Sequence, residues 1–94
     1  MIVLNVTYKC KPDKRDDFLA QIISEGIDVA CRADEGCVKY DYYFPADGSD
    51  ELLLLEKWET AEALAKHAAQ PHLARLKDLK EVYVDDVILE KFEL

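Results

Sequence analysis

Ninety-four residues, half of them apolar, suit one compact domain spanning 1–94, with a modest core that stands to gain from oligomerising. Twenty acidic against twelve basic residues leave a net charge of −8, which repels phosphate backbones and anionic lipid headgroups and argues against nucleic acid or a membrane as partner. No apolar run approaches the roughly 20 residues of a bilayer span, and Met1-Ile-Val-Leu-Asn5 lacks the basic start and small-residue cleavage site of a signal peptide, so a cytoplasmic location is expected.

Ile2 to Lys9 sets Ile2, Leu4, Val6 and Tyr8 against Val3, Asn5 and Thr7, a period of two that predicts a first strand. From Asp13 to about Ala33, apolar residues recur at three- and four-residue steps (Phe18, Leu19, Ile22, Ile23, Ile27, Ala30, Cys31). With Pro12 at the start and Gly36 beyond the end, this predicts one long amphipathic helix running through Gly26. Cys37 to Phe44 and Glu51 to Trp58 read as two strands joined by a Pro/Asp/Gly/Ser loop. Thr60 caps a helix reaching Gln70, supported by Glu59 and Glu62 near its positive end. Pro71 opens a short helix carrying Leu73, Leu76 and Leu79, and Tyr83 to Phe92 forms the last strand.

The order β-α-β-β-α-β is the split βαβ, or ferredoxin-like, arrangement of the α+β class: a four-stranded antiparallel sheet with helices on one face. The other face needs a cover. Leu52-Leu53-Leu54-Leu55 points apolar side chains to both sides. In the second strand Val38, Tyr40, Tyr42 and Phe44 fill one face while Tyr43 adds to the other. Burial of that second face against another copy predicts a homodimer.

Candidate chemistry gathers where the third strand meets the last two helices, because the single tryptophan and both histidines fall between positions 58 and 72. Elsewhere the sequence is less informative. Cys10, Cys31 and Cys37 are odd in number and lack C-x-x-C spacing, which predicts reduced thiols and neither a disulfide framework nor a zinc site. Two histidines five apart without a convergent carboxylate spacing give no metal site. No Ser/His/Asp or Cys/His signature, G-x-G-x-x-G or P-loop is present, so no bound cofactor is expected. The clusters Asp13 to Asp17 and Lys77 to Glu81 read as solvated helix faces.

The Glu35-Gly36-Cys37 turn, the strand end Leu55-Glu-Lys-Trp58 followed by Glu59-Thr60, and His67 with Pro71-His72 together resemble the antibiotic biosynthesis monooxygenase domain, in particular its small bacterial quinol monooxygenase branch. The resemblance covers nearly the whole chain. It implies a dimeric α/β barrel with a pocket between sheet and helices in each protomer. It also implies oxidation of a phenol or quinol, a small aromatic substrate, by dioxygen without metal, flavin or haem. Such a reaction needs a base to form the phenolate and a dry apolar box.

His72, in the first turn of a helix whose positive end disfavours imidazolium, is the expected base, with His67 sharing the task or orienting the substrate. Trp58 offers a flat apolar surface and one N–H, while Asn5, Tyr40 and Tyr42 are expected to anchor quinol oxygens. Each has a structural counterpart: Trp58 as core aromatic, the histidines as satisfied helix residues, Asn5 at a sheet edge and the tyrosines in dimer packing. Haem-degrading members of the superfamily have an axial histidine where this chain has Lys77, which argues against haem. Two other readings stay open: isomerisation of a phosphorylated autoinducer-type dione, with Arg75, Lys57 and Lys66 as nearest phosphate partners, and a non-catalytic dimer module that binds a small aromatic.

Overall fold

The computed structural model describes residues 1–94. Its strands are β1 (Ile2–Cys10), β2 (Cys37–Tyr43), β3 (Glu51–Trp58) and β4 (Val84–Glu93), and its helices are α1 (Arg15–Ser24), α2 (Ile27–Arg32), α3 (Ala61–Ala68) and α4 (Pro71–Tyr83). The sheet runs β2-β3-β1-β4 with every neighbouring pair antiparallel, which is the ferredoxin-like topology expected. No helix is long and apolar enough to cross a membrane.

Period-two alternation decides which side chains meet the helices. Ile2, Leu4, Val6 and Tyr8 of β1 and Leu52, Leu54, Glu56 and Trp58 of β3 are buried beneath them. Phe18 and Ile22 of α1, Cys31 of α2, and Leu76 and Leu79 of α4 close the core from above. Full burial of a leucine or phenylalanine side chain is worth about 1.5–3 kcal/mol, so this single layer of contacts carries most of the fold's stability. The opposite face has no cover. There Val3, Leu53, Leu55, Tyr43, Ile88 and Phe92 sit in adjacent register positions, with Ile88 43% and Phe92 50% exposed.

The helix expected to run unbroken from Asp13 to Ala33 is interrupted. Gly26 adopts φ +69°, its N–H bonding back to Ile23 O at 3.0 Å, and α2 starts afresh at Ile27 with Ala30 N–H reaching Gly26 O. Left-handed backbone costs other residues roughly 1–2 kcal/mol, so glycine marks the break. The second segment can then turn to bury Ile27 and Cys31 and pack on β2. This break carries Cys31 and Asp34 to the sheet end where the candidate site lies.

Two other boundaries differ from expectation. The helix opened by Pro71 spans 13 residues and passes directly into β4. Its end is fixed by Tyr83, whose hydroxyl donates to Gln21 Oε1 at 2.7 Å and whose ring lies 5.9 Å from Phe18. A bulge between Cys37 and Lys39 shifts the β2 register, leaving Val38 exposed instead of in the buried row, and Phe44 lies beyond the strand under the Arg15 guanidinium. Thr60 caps α3 as expected, its Oγ1 accepting from Ala63 N–H at 3.1 Å.

Candidate active site

Trp58 ends β3 with its indole fully buried, and its Nε1–H donates to Glu56 Oε1 at 3.0 Å. The His67 ring, 3% exposed in the last turn of α3, lies over that indole with centroids 4.3 Å apart and 35° between planes. On its other side His67 Nδ1 is 2.6 Å from Asp34 Oδ2, an oxygen that also sits 2.8 Å from His72 Nε2. His67 Nε2 faces Glu56 Oε1 at 3.9 Å, too far for a hydrogen bond. A line of groups thus runs from Trp58 and Glu56 through His67 and Asp34 to His72.

The charges along this line follow from burial and contact. Burial works to raise the Asp34 carboxyl, but hydrogen bonds from His67 and His72 outweigh it and hold the group below its usual range. An ionised carboxylate only accepts, so Nδ1 of His67 and Nε2 of His72 carry the hydrogens. Burial lowers the His67 ring below its ordinary value, partly opposed by Asp34, which favours the neutral form. Its Nε2 then holds a free lone pair. Burial pushes Glu56 the other way, above the ordinary carboxylate range, despite the Trp58 bond and the Lys80 charge. A base and an acid whose affinities have been moved toward each other face one another across 3.9 Å.

Both open onto a cavity of about 230 Å³ between the sheet and helices α3 and α4. Its walls are mainly apolar, including Leu4, Val6, Leu64, Leu73 and Leu76, with Tyr8, Tyr40 and Lys80 as the other polar groups. A dry apolar cavity of about 150 Å³ accepts benzene, so this one has room for a single aromatic ring. Burial raises the Tyr8 and Tyr40 hydroxyls well above their ordinary values, which keeps them neutral as hydrogen-bond partners for a substrate oxygen.

The residues expected from sequence are only partly brought together. His67 and Tyr40 line the cavity, their rings 5.7 Å apart, while Trp58 lies behind His67 and is absent from the lining. Tyr42 packs against Tyr40 at 5.9 Å and does not line it. His72 touches Asp34 and is absent from the lining. Asn5 points to the uncovered face, where its Nδ2 donates to Glu90 at 3.2 Å, because odd positions of β1 alternate away from the helices. Lys80, read as a solvated charge, turns inward because it follows Leu76 by four residues on the same helix face.

Asp34, Glu56 and Tyr8 were not singled out by sequence. Glu56 could have been, since Leu52, Leu54, Glu56 and Trp58 share one face of β3 and a carboxylate there is out of place. Asp34 carries no such signal. It lies in the polar turn Ala33-Asp34-Glu35-Gly36 and becomes part of the site only through the Gly26 break.

Comparison with known proteins bears on the fold and the family. The family model described as antibiotic biosynthesis monooxygenase matches residues 1–79. YcnE of Bacillus subtilis, provisionally named a monooxygenase, is 32% identical over 97 residues, covering 99% of this chain and all of that protein. The structure of Rv0793 from Mycobacterium tuberculosis superposes with a TM-score of 0.86 at 26% identity, over 99% of this chain and 93% of that one. A structure from Deinococcus radiodurans, provisionally described as an antibiotic biosynthesis monooxygenase, shares the fold, with a TM-score of 0.86 at 22% identity, over all of this chain and 92% of the other. The chain belongs to the antibiotic biosynthesis monooxygenase family, whose members named here point to a monooxygenase type of function.

Proposed function

We propose that the protein oxidises a small phenol or quinol with dioxygen, using no resident cofactor, and that His67 rather than His72 is the base. The observation that carries this is the His67 ring itself: Nδ1–H is pinned on the Asp34 carboxylate, while Nε2 is left free beside an apolar cavity large enough for one aromatic ring. His67 Nε2 takes the phenolic proton, and the phenolate so formed gives up an electron to dioxygen far more readily than the phenol. Recombination adds oxygen to the ring carbon, and loss of water leaves a quinone. The balance for a hydroquinone is one substrate plus O₂ giving one hydroxyquinone plus one water, with all four electrons needed to reduce O₂ coming from the substrate. Glu56 in its acid form supplies a proton to the departing oxygen. Trp58 holds the His67 ring from behind and anchors Glu56, and Tyr8 and Tyr40 orient the substrate oxygen.

His72 acts through Asp34 as a positioning residue, and Asn5 has no place in this pocket. The uncovered sheet face, with Val3, Leu53, Leu55, Ile88 and Phe92, supports a homodimer packed face to face. The test is turnover of a panel of hydroquinones and naphthols under ¹⁸O₂ with chelator present. One ¹⁸O atom per product quinone supports the proposal. Tight binding of the same phenols without turnover points instead to a ligand-binding module.

A further inference from the structure

The polar end of the site has more donors than proton transfer needs. The thiol sulfur of Cys31 and one ring nitrogen from each of His67 and His72 lie within 4.8 Å of one another. Asp34 Oδ2 touches both rings, at 2.6 and 2.8 Å. The sulfur and the His67 ring are buried, and Asp34 and His72 are largely so. A thiol and two imidazoles from three separate helices (α2, α3 and α4) therefore lie together, with a carboxylate from the turn after α2 against both rings.

We propose that Cys31, Asp34, His67 and His72 form a binding site for a thiophilic divalent cation such as Zn²⁺. The donor set matches the metal: thiolate and imidazole select zinc and its neighbours over magnesium or calcium. Bonds of about 2.0–2.3 Å to zinc set donors about 3.3–3.7 Å apart in a tetrahedron. The rings approach Asp34 Oδ2 at 2.6 and 2.8 Å, closer than that, and the thiol and ring nitrogens lie within 4.8 Å of one another, so seating the ion requires side chains to shift. Charge also balances, since Zn²⁺ with one thiolate and one carboxylate is neutral and its burial leaves no uncompensated charge. On binding, the Cys31 thiol releases its proton to solvent, and each imidazole keeps one proton by moving it to the ring nitrogen away from the metal.

That last step sets the consequence, which rests on the proposed role of His67. The nitrogens meeting Asp34 are Nδ1 of His67 and Nε2 of His72. A cation seated beside Asp34 takes Nδ1 of His67 and places the hydrogen on Nε2, the atom that faces the cavity. A ring so bound no longer accepts a proton there. The cation therefore turns the oxidation off.

The experiment titrates Co²⁺ and then Zn²⁺ into the purified, chelator-treated full chain without substrate. Expected is one ion per chain, with the near-ultraviolet sulfur-to-cobalt charge-transfer band displaced by Zn²⁺. Cys31→Ser loses the band, and His72→Gln, changed at a side chain 19% exposed, weakens binding at least tenfold while keeping its circular dichroism. No charge-transfer band, or His72→Gln binding as tightly as wild type, overturns the site. Oxygen uptake is measured separately. Inhibition by stoichiometric Zn²⁺, reversed by EDTA, supports the switch, whereas unchanged turnover with the ion bound overturns the switch alone. Cation binding in a protein that oxidises no phenol leaves the site standing and removes the proposed function.

Discussion

Replacing Asp34 by asparagine tests the arrangement at its most sensitive point. Both histidines donate to one oxygen, so an asparagine that places its carbonyl oxygen there keeps the shape and both hydrogen bonds and removes only the negative charge. Charged hydrogen bonds are roughly twice as strong as neutral ones, and the burial cost of the carboxylate disappears with it. The net loss of stability is therefore only about 1–2 kcal/mol. The catalytic effect is larger. When His67 takes a proton, the imidazolium forms against the Asp34 charge, and unit charges about 4 Å apart attract by about 4 kcal/mol at an effective dielectric constant of about 20. Losing it slows the step about 10³-fold. The assay is kcat by oxygen electrode from pH 5 to 9, beside a urea melt. Asp34 raises the proton affinity of His67, so its removal moves the acid limb of the profile to lower pH while the plateau drops. A plateau within threefold of wild type, or an acid limb that stays in place, refutes the coupling.

Three further predictions concern the scaffold around the site. Gly36→Ala meets a backbone at φ +81° and sets the new Cβ 2.5 Å from the Ala63 Cβ, so it should cost about 2–5 kcal/mol in a urea melt; a loss under 0.5 kcal/mol contradicts that packing. Glu56 has a folded-state proton affinity raised by burial, so its contribution to stability is present below the unfolded value of about 4.3 and is lost as pH rises through the folded value. Glu56→Gln should therefore gain on wild type in melts as pH goes from 4.5 to 8, and a constant difference across that range argues against a buried titrating acid. Leu54 is fully buried under the helices while Leu53 points to the uncovered face. Leu54→Asp should prevent folding, whereas Leu53→Asp should give a folded monomer by sedimentation velocity where wild type sediments as a dimer; a wild-type monomer removes the dimer proposal.

Much of the fold is legible in the sequence because its signals are local and periodic. Alternation along Ile2 to Tyr8 and Leu52 to Trp58, the Thr60 cap and Pro71 at a helix start each act within a few residues. The Gly26 break is less legible, since apolar spacing continues through it and only tertiary packing of Ile27 and Cys31 decides that the second segment turns. For the site, sequence reveals Trp58 and His67 because rare residue types cluster there. It favours His72 as the base from its place in a first helical turn, whereas the structure puts a different distinction between the two rings. That difference arises from Asp34, thirty-three residues before His67, which meets Nδ1 of one ring and Nε2 of the other, leaving only the His67 ring with a free nitrogen beside the cavity. Asn5 lies away from the cavity for a simpler reason: a period-two strand also says which face each residue takes, and Asn5 shares its face with Val3 and Thr7, not with the core.

The most direct test of His67 as the base is the initial rate of oxygen uptake by chelator-treated wild type, His67→Gln and His72→Gln on the best hydroquinone of the panel. The account predicts a loss of roughly 10²–10⁴-fold in kcat for His67→Gln, a smaller loss for His72→Gln, and folded protein in both. Equal turnover in wild type and His67→Gln, or the larger loss in His72→Gln, would contradict it.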